Sequence, residues 1–94
     1  MGTFLMFGKY SPESLKDISG ERTDKAVKLI KQYEGEVTGM YALIGEYDLL
    51  LIVNFPSVEG AMKASVALYK LTGVSFTTSP AVPVEVFDKI ISEV

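Results

Sequence analysis

The residues able to do chemistry in this sequence are few, and they gather at two places. The turn Gly45-Glu46-Tyr47-Asp48 sets a phenol beside a carboxylate, and Lys9-Tyr10-Ser11 offers an amine, a second phenol and a hydroxyl. There is no cysteine and no histidine. That removes disulfides, thiol nucleophiles, cysteine/histidine zinc sites and haem held by a proximal histidine. Acid–base work would fall to carboxylates, lysines or tyrosines. As a binding set, Lys9 and the start of the helix that follows Ser11 would hold an anionic group, Tyr47 would present a flat face and a hydroxyl, and Asp48 would accept from an amine. No cofactor and no metal is expected, and no catalytic residue stands out.

Composition narrows the classes. A chain of 94 residues that is 48% hydrophobic makes one domain, residues 1–94, near the small end for independent folding. Its 9 basic and 12 acidic residues give a net charge of −3. They are scattered, with no basic patch to neutralise phosphates, which argues against nucleic acid and against an anionic membrane. The N-terminal MGTFLMFGKY has no basic segment before its apolar run, and Met6 stands where myristoylation needs serine or threonine. No apolar run reaches membrane-spanning length. A soluble, cytoplasmic protein is the expectation.

The elements that must position these residues follow from the hydrophobic pattern. Thr3 to Gly8 reads as a strand, with Phe4 and Met6 on one face and Leu5 and Phe7 on the other. Ser11-Pro12-Glu13 opens a helix. Its stripe is Leu15, Ile18, Ala26, Leu29, Ile30 and Tyr33, interrupted by Gly20 and Arg22, irregular near Ser19-Gly20 and stopped at Gly35. Arg22 is read as solvent-facing, with pairing to an acid of another subunit as the alternative. Glu36 to Ile44 and Leu49 to Phe55 are strands joined by the tight connection Gly45 to Asp48. A second helix runs from Ser57 to about Thr72, burying Ala61, Ala64, Ser65, Leu68 and Leu71, and Gly73 closes it. Val74 to Ser79 is a fourth strand, and VEVFDKIISEV a short amphipathic helix. Met6, Met40 and Met62 read as core filler, and Tyr41 as core or interface. The order β-α-β-β-α-β plus a tail predicts an α+β, ferredoxin-like fold with an antiparallel sheet and both main helices on one face. In that topology the first two strands end at the same end of the sheet, which gathers Lys9, Tyr10, Ser11 and the turn Gly45 to Asp48.

That layout raises a covering problem. Four strands make a sheet roughly 19 Å wide, which two helices cover on one side only. Yet Leu49 to Val53 is an unbroken aliphatic run, and the first two strands are also apolar on both faces. The simplest cover for the second face is the matching face of another copy, giving a homodimer or higher oligomer. A tail helix folded under its own sheet is the alternative, and one short helix is narrow for that task.

The run GEYDLLLIVNFPS between a strand and a helix, with FLMFGKYSPE before it and TTSPAVPVEVF after it, resembles the GYD domain family. EVTGMYALIGEYDLLLIV through LTGVSFTTS is also similar to the ligand-sensing domain of the Lrp/AsnC transcriptional regulators. Both resemblances imply a dimeric α/β barrel, in which two such sheets pack face to face. With no room for a helix-turn-helix before the first strand of this sequence, the DNA-binding half of those regulators is not expected here. In the similar regulator domains the equivalent turn borders an amino-acid effector site between subunits, and Gly45, Tyr47 and Asp48 match it. The GYD resemblance itself implies no particular reaction.

Two functional expectations follow. One is a non-catalytic oligomeric module that binds a small polar metabolite at a subunit interface through Lys9, Gly45, Tyr47 and Asp48. The other is a cofactor-free barrel enzyme of the small monooxygenase or isomerase type, using the same tyrosine, aspartate or lysine. Against both stands a purely architectural role for the turn: glycine for backbone freedom, aspartate bonding nearby amides, tyrosine packing across strands.

Overall fold

The structure, a computed structural model, describes residues 2–94. Eight elements follow in chain order: β1 (Gly2–Lys9), α1 (Pro12–Lys16), α2 (Gly20–Gln32), β2 (Glu36–Ala42), β3 (Leu49–Phe55), α3 (Val58–Thr72), β4 (Ser75–Ala81) and α4 (Val84–Ser92). The strands form one antiparallel sheet in the order β2-β3-β1-β4. This is the ferredoxin-like arrangement the sequence predicts.

Strand alternation sorts the sheet into two faces. Met40, Leu51, Met6 and Thr78 pair across the four strands and share one face. Phe4, Met6, Leu51, Val53 and Phe55 pack there against Ile30 of α2 and Ala61, Ala64 and Leu68 of α3. The rings of Phe4 and Phe55 meet edge to face at 5.8 Å. The opposite face carries Leu5, Phe7, Tyr41, Leu50 and Ile52, with Thr77 and Ser79 from β4. No element among the described residues packs extensively over it.

The first helical segment departs from the sequence reading. In place of one irregular helix there are two, broken at Asp17–Ser19. Ser11 and Ser14 close a capping box on α1, and the Ser19 hydroxyl starts α2 afresh by accepting from the Arg22 amide. The break throws Leu15 and Ile18 off the buried stripe, and both are exposed. The C-terminus of α2 also differs. The left-handed residue is Glu34, at φ 65°, with Glu34 N–H donating to Lys31 O and Gly35 N–H to Ile30 O. Gly35 matters for space instead: a Cβ there would stand 2.5 Å from Ile30 Cγ2 and 2.6 Å from Phe55 Cε1.

Other corrections are smaller. β2 stops at Ala42 and bulges between Val37 and Gly39, so the connection to β3 is longer than Gly45 to Asp48. β4 continues through Pro80, which an edge strand tolerates because the missing N–H faces no neighbour. Leu71, Met62 and Met40 are exposed rather than core. α3 turns Met62 away from the sheet, and Met40 lies on an edge strand that α2 leaves partly open.

α4 forms as expected but stands off the body. Phe87 is 52% exposed and Ile90 50% exposed, and no residue of the helix is buried. The radius of gyration is 14.2 Å, against about 12 Å for a compact domain of this length. The tail helix is therefore not folded under its own sheet.

Candidate functional site

The antiparallel register brings the ends of β1 and β2 and the starts of β3 and β4 to one end of the sheet. Lys9, Gly45, Tyr47 and Asp48 all lie there, as the sequence expects. Their geometry separates them into distinct jobs.

Asp48 is the anchor. Its amide donates to Gly8 O at 2.8 Å and its carbonyl accepts from Leu43 N at 2.8 Å. Its carboxylate Oδ2 accepts from the Tyr10 amide at 2.9 Å. The aspartate thus ties the β2–β3 connection to the end of β1 and to the start of the turn into α1. Among the described residues its other carboxylate oxygen has no partner within the chain.

Lys9 reaches across the same end, its Nζ donating to Glu46 O at 2.8 Å. It forms no ion pair with Asp48; among the described residues the one ion pair is Lys25 with Glu21, at 3.4 Å on the surface of α2. Gly45 adopts φ 150°, in a region that residues with a Cβ avoid, and an added Cβ would meet open space. Its requirement is conformational, not steric. Tyr47 folds back over the uncovered face of the sheet, its ring tilted at 40° on that of Phe7 with centroids 5.2 Å apart. Ile44, at the tip of the same connection, is fully exposed.

The helix start expected to hold an anion is a single turn. The Ser14 amide there already donates to Ser11 Oγ at 3.0 Å. The site therefore offers one amine, one carboxylate and one phenol at the rim of an apolar face. No group of acidic, histidine or cysteine residues among the described residues is arranged to hold a metal. No helix among them is long and apolar enough to cross a membrane.

The family model of the GYD domain matches residues 4–91, which span this turn and its flanking strands. The chain belongs to the GYD domain family. No curated protein matches it. Among solved structures the GYD domain is similar to the leucine response regulatory protein LrpA of Mycobacterium tuberculosis, at 13% identity and a TM-score of 0.58, covering 87% of this chain and 51% of that one. A glutamate-to-alanine mutant structure matches at 15% identity and a TM-score of 0.57, covering 87% of this chain and 50% of that one. A glycine-to-threonine mutant of Rv3291c matches at 13% identity and 0.58, with 88% and 51% covered. The chain spans about half the length of these structures. At such identities the likeness shows the fold.

One group of residues escaped the sequence reading. Arg22 is half-buried, not solvent-facing. Its Nη1 donates to Ser14 O at 2.6 Å, and its guanidinium lies 5.8 Å from the centroid of the Tyr10 ring. Both residues border a cavity on the helix-covered side of the sheet. The signal in the sequence was the arginine itself, interrupting an apolar stripe in the first turn of a helix.

Proposed function

We propose that this GYD domain is a non-catalytic, self-assembling module whose two copies pack sheet to sheet, with a small polar effector held at the rim of that interface. The observation that carries the reading is the uncovered sheet face. Leu5, Phe7, Leu50, Ile52 and Tyr41 form an apolar surface on a sheet roughly 19 Å by 23 Å, in the size range of the largest apolar patches of soluble chains, which commonly serve binding. α4 supports the same reading, since its apolar residues are exposed and it does not lie on its own sheet. A second copy would cover the face, and each α4 would lie along its partner. Obligate interfaces of this kind resemble a domain core cut in two.

The rim site rests on position and chemistry. Tyr47 lies against Phe7 on that same apolar face, and Lys9 and Asp48 flank it without pairing to each other. A small zwitterion would meet both signs. Exposed contacts of this type contribute under about 1 kcal/mol each, so useful affinity depends on closure by the partner. Catalysis by the same residues has less support, because the Lys9 amine and one oxygen of the Asp48 carboxylate are engaged by the backbone.

A thermal-shift screen of amino acids and small metabolites tests the rim site, since a ligand that binds only the folded state raises the melting temperature. Tyr47→Phe is expected to keep assembly and abolish the ligand shift. A full metabolite panel that produces no shift in the wild-type protein would leave the turn as architecture alone.

A further inference from the structure

The helix-covered side of the sheet holds a second concavity, of about 80 Å3, between α2, α3 and the strands. Its floor and walls are apolar: Met40, Leu49 and Leu51 from the sheet, Leu68 from α3, and Val74 and Phe76 at the start of β4. Arg22 is the one charged residue among those that line it, and Tyr10, Thr23 and Thr72 complete the polar part of the wall. This cavity is independent of the rim site, which uses the opposite face.

Three features of Arg22 point to a ligand. Its guanidinium is held in place by Ser14 O and by the Tyr10 ring, and the Ser14 that presents this carbonyl is buried and fixed by the capping box. Only one of its five N–H donors has an acceptor, and no carboxylate among the described residues lies within ion-pair distance. It also sits in the first turn of α2, where the helix dipole disfavours a cation. A half-buried, fixed and unpaired guanidinium beside an apolar hollow is a receptor for a carboxylate that carries an apolar tail.

We infer that this cavity binds a short branched aliphatic monocarboxylate, with the carboxylate on Arg22 and the tail against Leu51, Leu68 and Val74. Size limits the tail: a cavity of about 150 Å3 holds benzene, and this one is near half that. Charge limits the head group. With no acid lining the cavity, the ammonium of an amino acid would be desolvated without a partner. The deaminated acid is therefore preferred over the amino acid of the same skeleton.

The test is an amide chemical-shift titration of the intact protein with isovalerate, with valine, the amino acid of the same skeleton, and 3-methylbutanol as comparison ligands. Saturable shifts confined to the amides around Leu51, Leu68 and Val74 are expected with isovalerate, and weaker or no shifts with the other two. Arg22→Gln and Arg22→Lys are each expected to weaken isovalerate at least about tenfold, the lysine because a point charge does not replace the bidentate fork. Ala26→Leu, which fills the hollow and leaves Arg22 in place, is expected to abolish binding. Its fold is checked by the retained dispersion of its amide spectrum, and an unfolded Ala26→Leu would be replaced by Thr23→Leu at the mouth. Absence of saturable shifts in the wild-type protein, equal affinity for valine, or unchanged binding in folded Arg22→Gln overturns the inference.

Discussion

At the residue scale, side chains at the β2–β3 connection and at the end of α2 are fixed by backbone needs that substitution exposes. Gly35 is the sharpest case. Alanine there would push its Cβ into Ile30 and Phe55, both fully buried. Gly35→Ala is expected to lower stability by about 1–3 kcal/mol in urea unfolding, the usual range for overpacking. Its neighbour should behave oppositely. Glu34 holds φ 65°, a conformation that costs an L-residue about 1–2 kcal/mol. Glu34→Gly relieves it, less the glycine's greater freedom when unfolded, for a net gain of about 0.5–1 kcal/mol. Asp48 separates architecture from binding. Asp48→Ala removes the acceptor of the Tyr10 amide and is expected to destabilise by about 1–2 kcal/mol. Asp48→Asn keeps an acceptor oxygen and should melt close to wild type. A melting temperature as low for Asp48→Asn as for Asp48→Ala would show that the charge, not the hydrogen bond, secures the turn.

At the element scale, most of the pattern is legible in the sequence. Alternation along β1 and β3 assigned Phe4 and Met6 to one face and Leu5 and Phe7 to the other. Proline and glycine punctuation placed α3 and α4 within a residue or two. What was not legible depended on competition between neighbours. The first helix breaks because Ser19 and Ser11 each make a local cap, and two short capped segments displace one long one. Apolar spacing does not report that choice, so Leu15 and Ile18 read as buried. The bulge in β2 and the length of the connection after Ala42 likewise follow from pairing with β3, not from composition. Of the candidate site, the convergence of Lys9, Tyr47 and Asp48 could be deduced from topology. The partners their side chains take, Glu46 O for Lys9, the Tyr10 amide for Asp48 and the Phe7 ring for Tyr47, could not, since they rest on rotamers. α4 offers the test at this scale. Because none of its residues is buried, a chain ending at Pro83 is expected to keep its melting cooperativity in calorimetry while associating more weakly.

At the scale of the whole molecule, the two faces of one sheet carry different tasks. The covered face builds the core and leaves a small hollow beside Arg22. The uncovered face, with Tyr47 laid on Phe7 and α4 projecting beyond the body, is where the proposed assembly would seat a second copy. β3 contains a direct comparison of the two. Leu51 is 2% exposed and faces the helices, whereas Leu50 pairs with Phe7 on the open face. An aspartate at position 51 leaves a buried, unpaired carboxylate, worth several kcal/mol. The same change at position 50 leaves the core intact and puts a charge in the proposed interface. Sedimentation equilibrium at low micromolar concentration on the wild-type protein, Leu50→Asp and Leu51→Asp therefore tests the assembly most directly. The wild-type protein is expected as a dimer or larger, Leu50→Asp as a folded monomer, and Leu51→Asp as an unfolded chain. A wild-type protein that sediments as a folded monomer, with a melting temperature unchanged by Leu50→Asp, would contradict it.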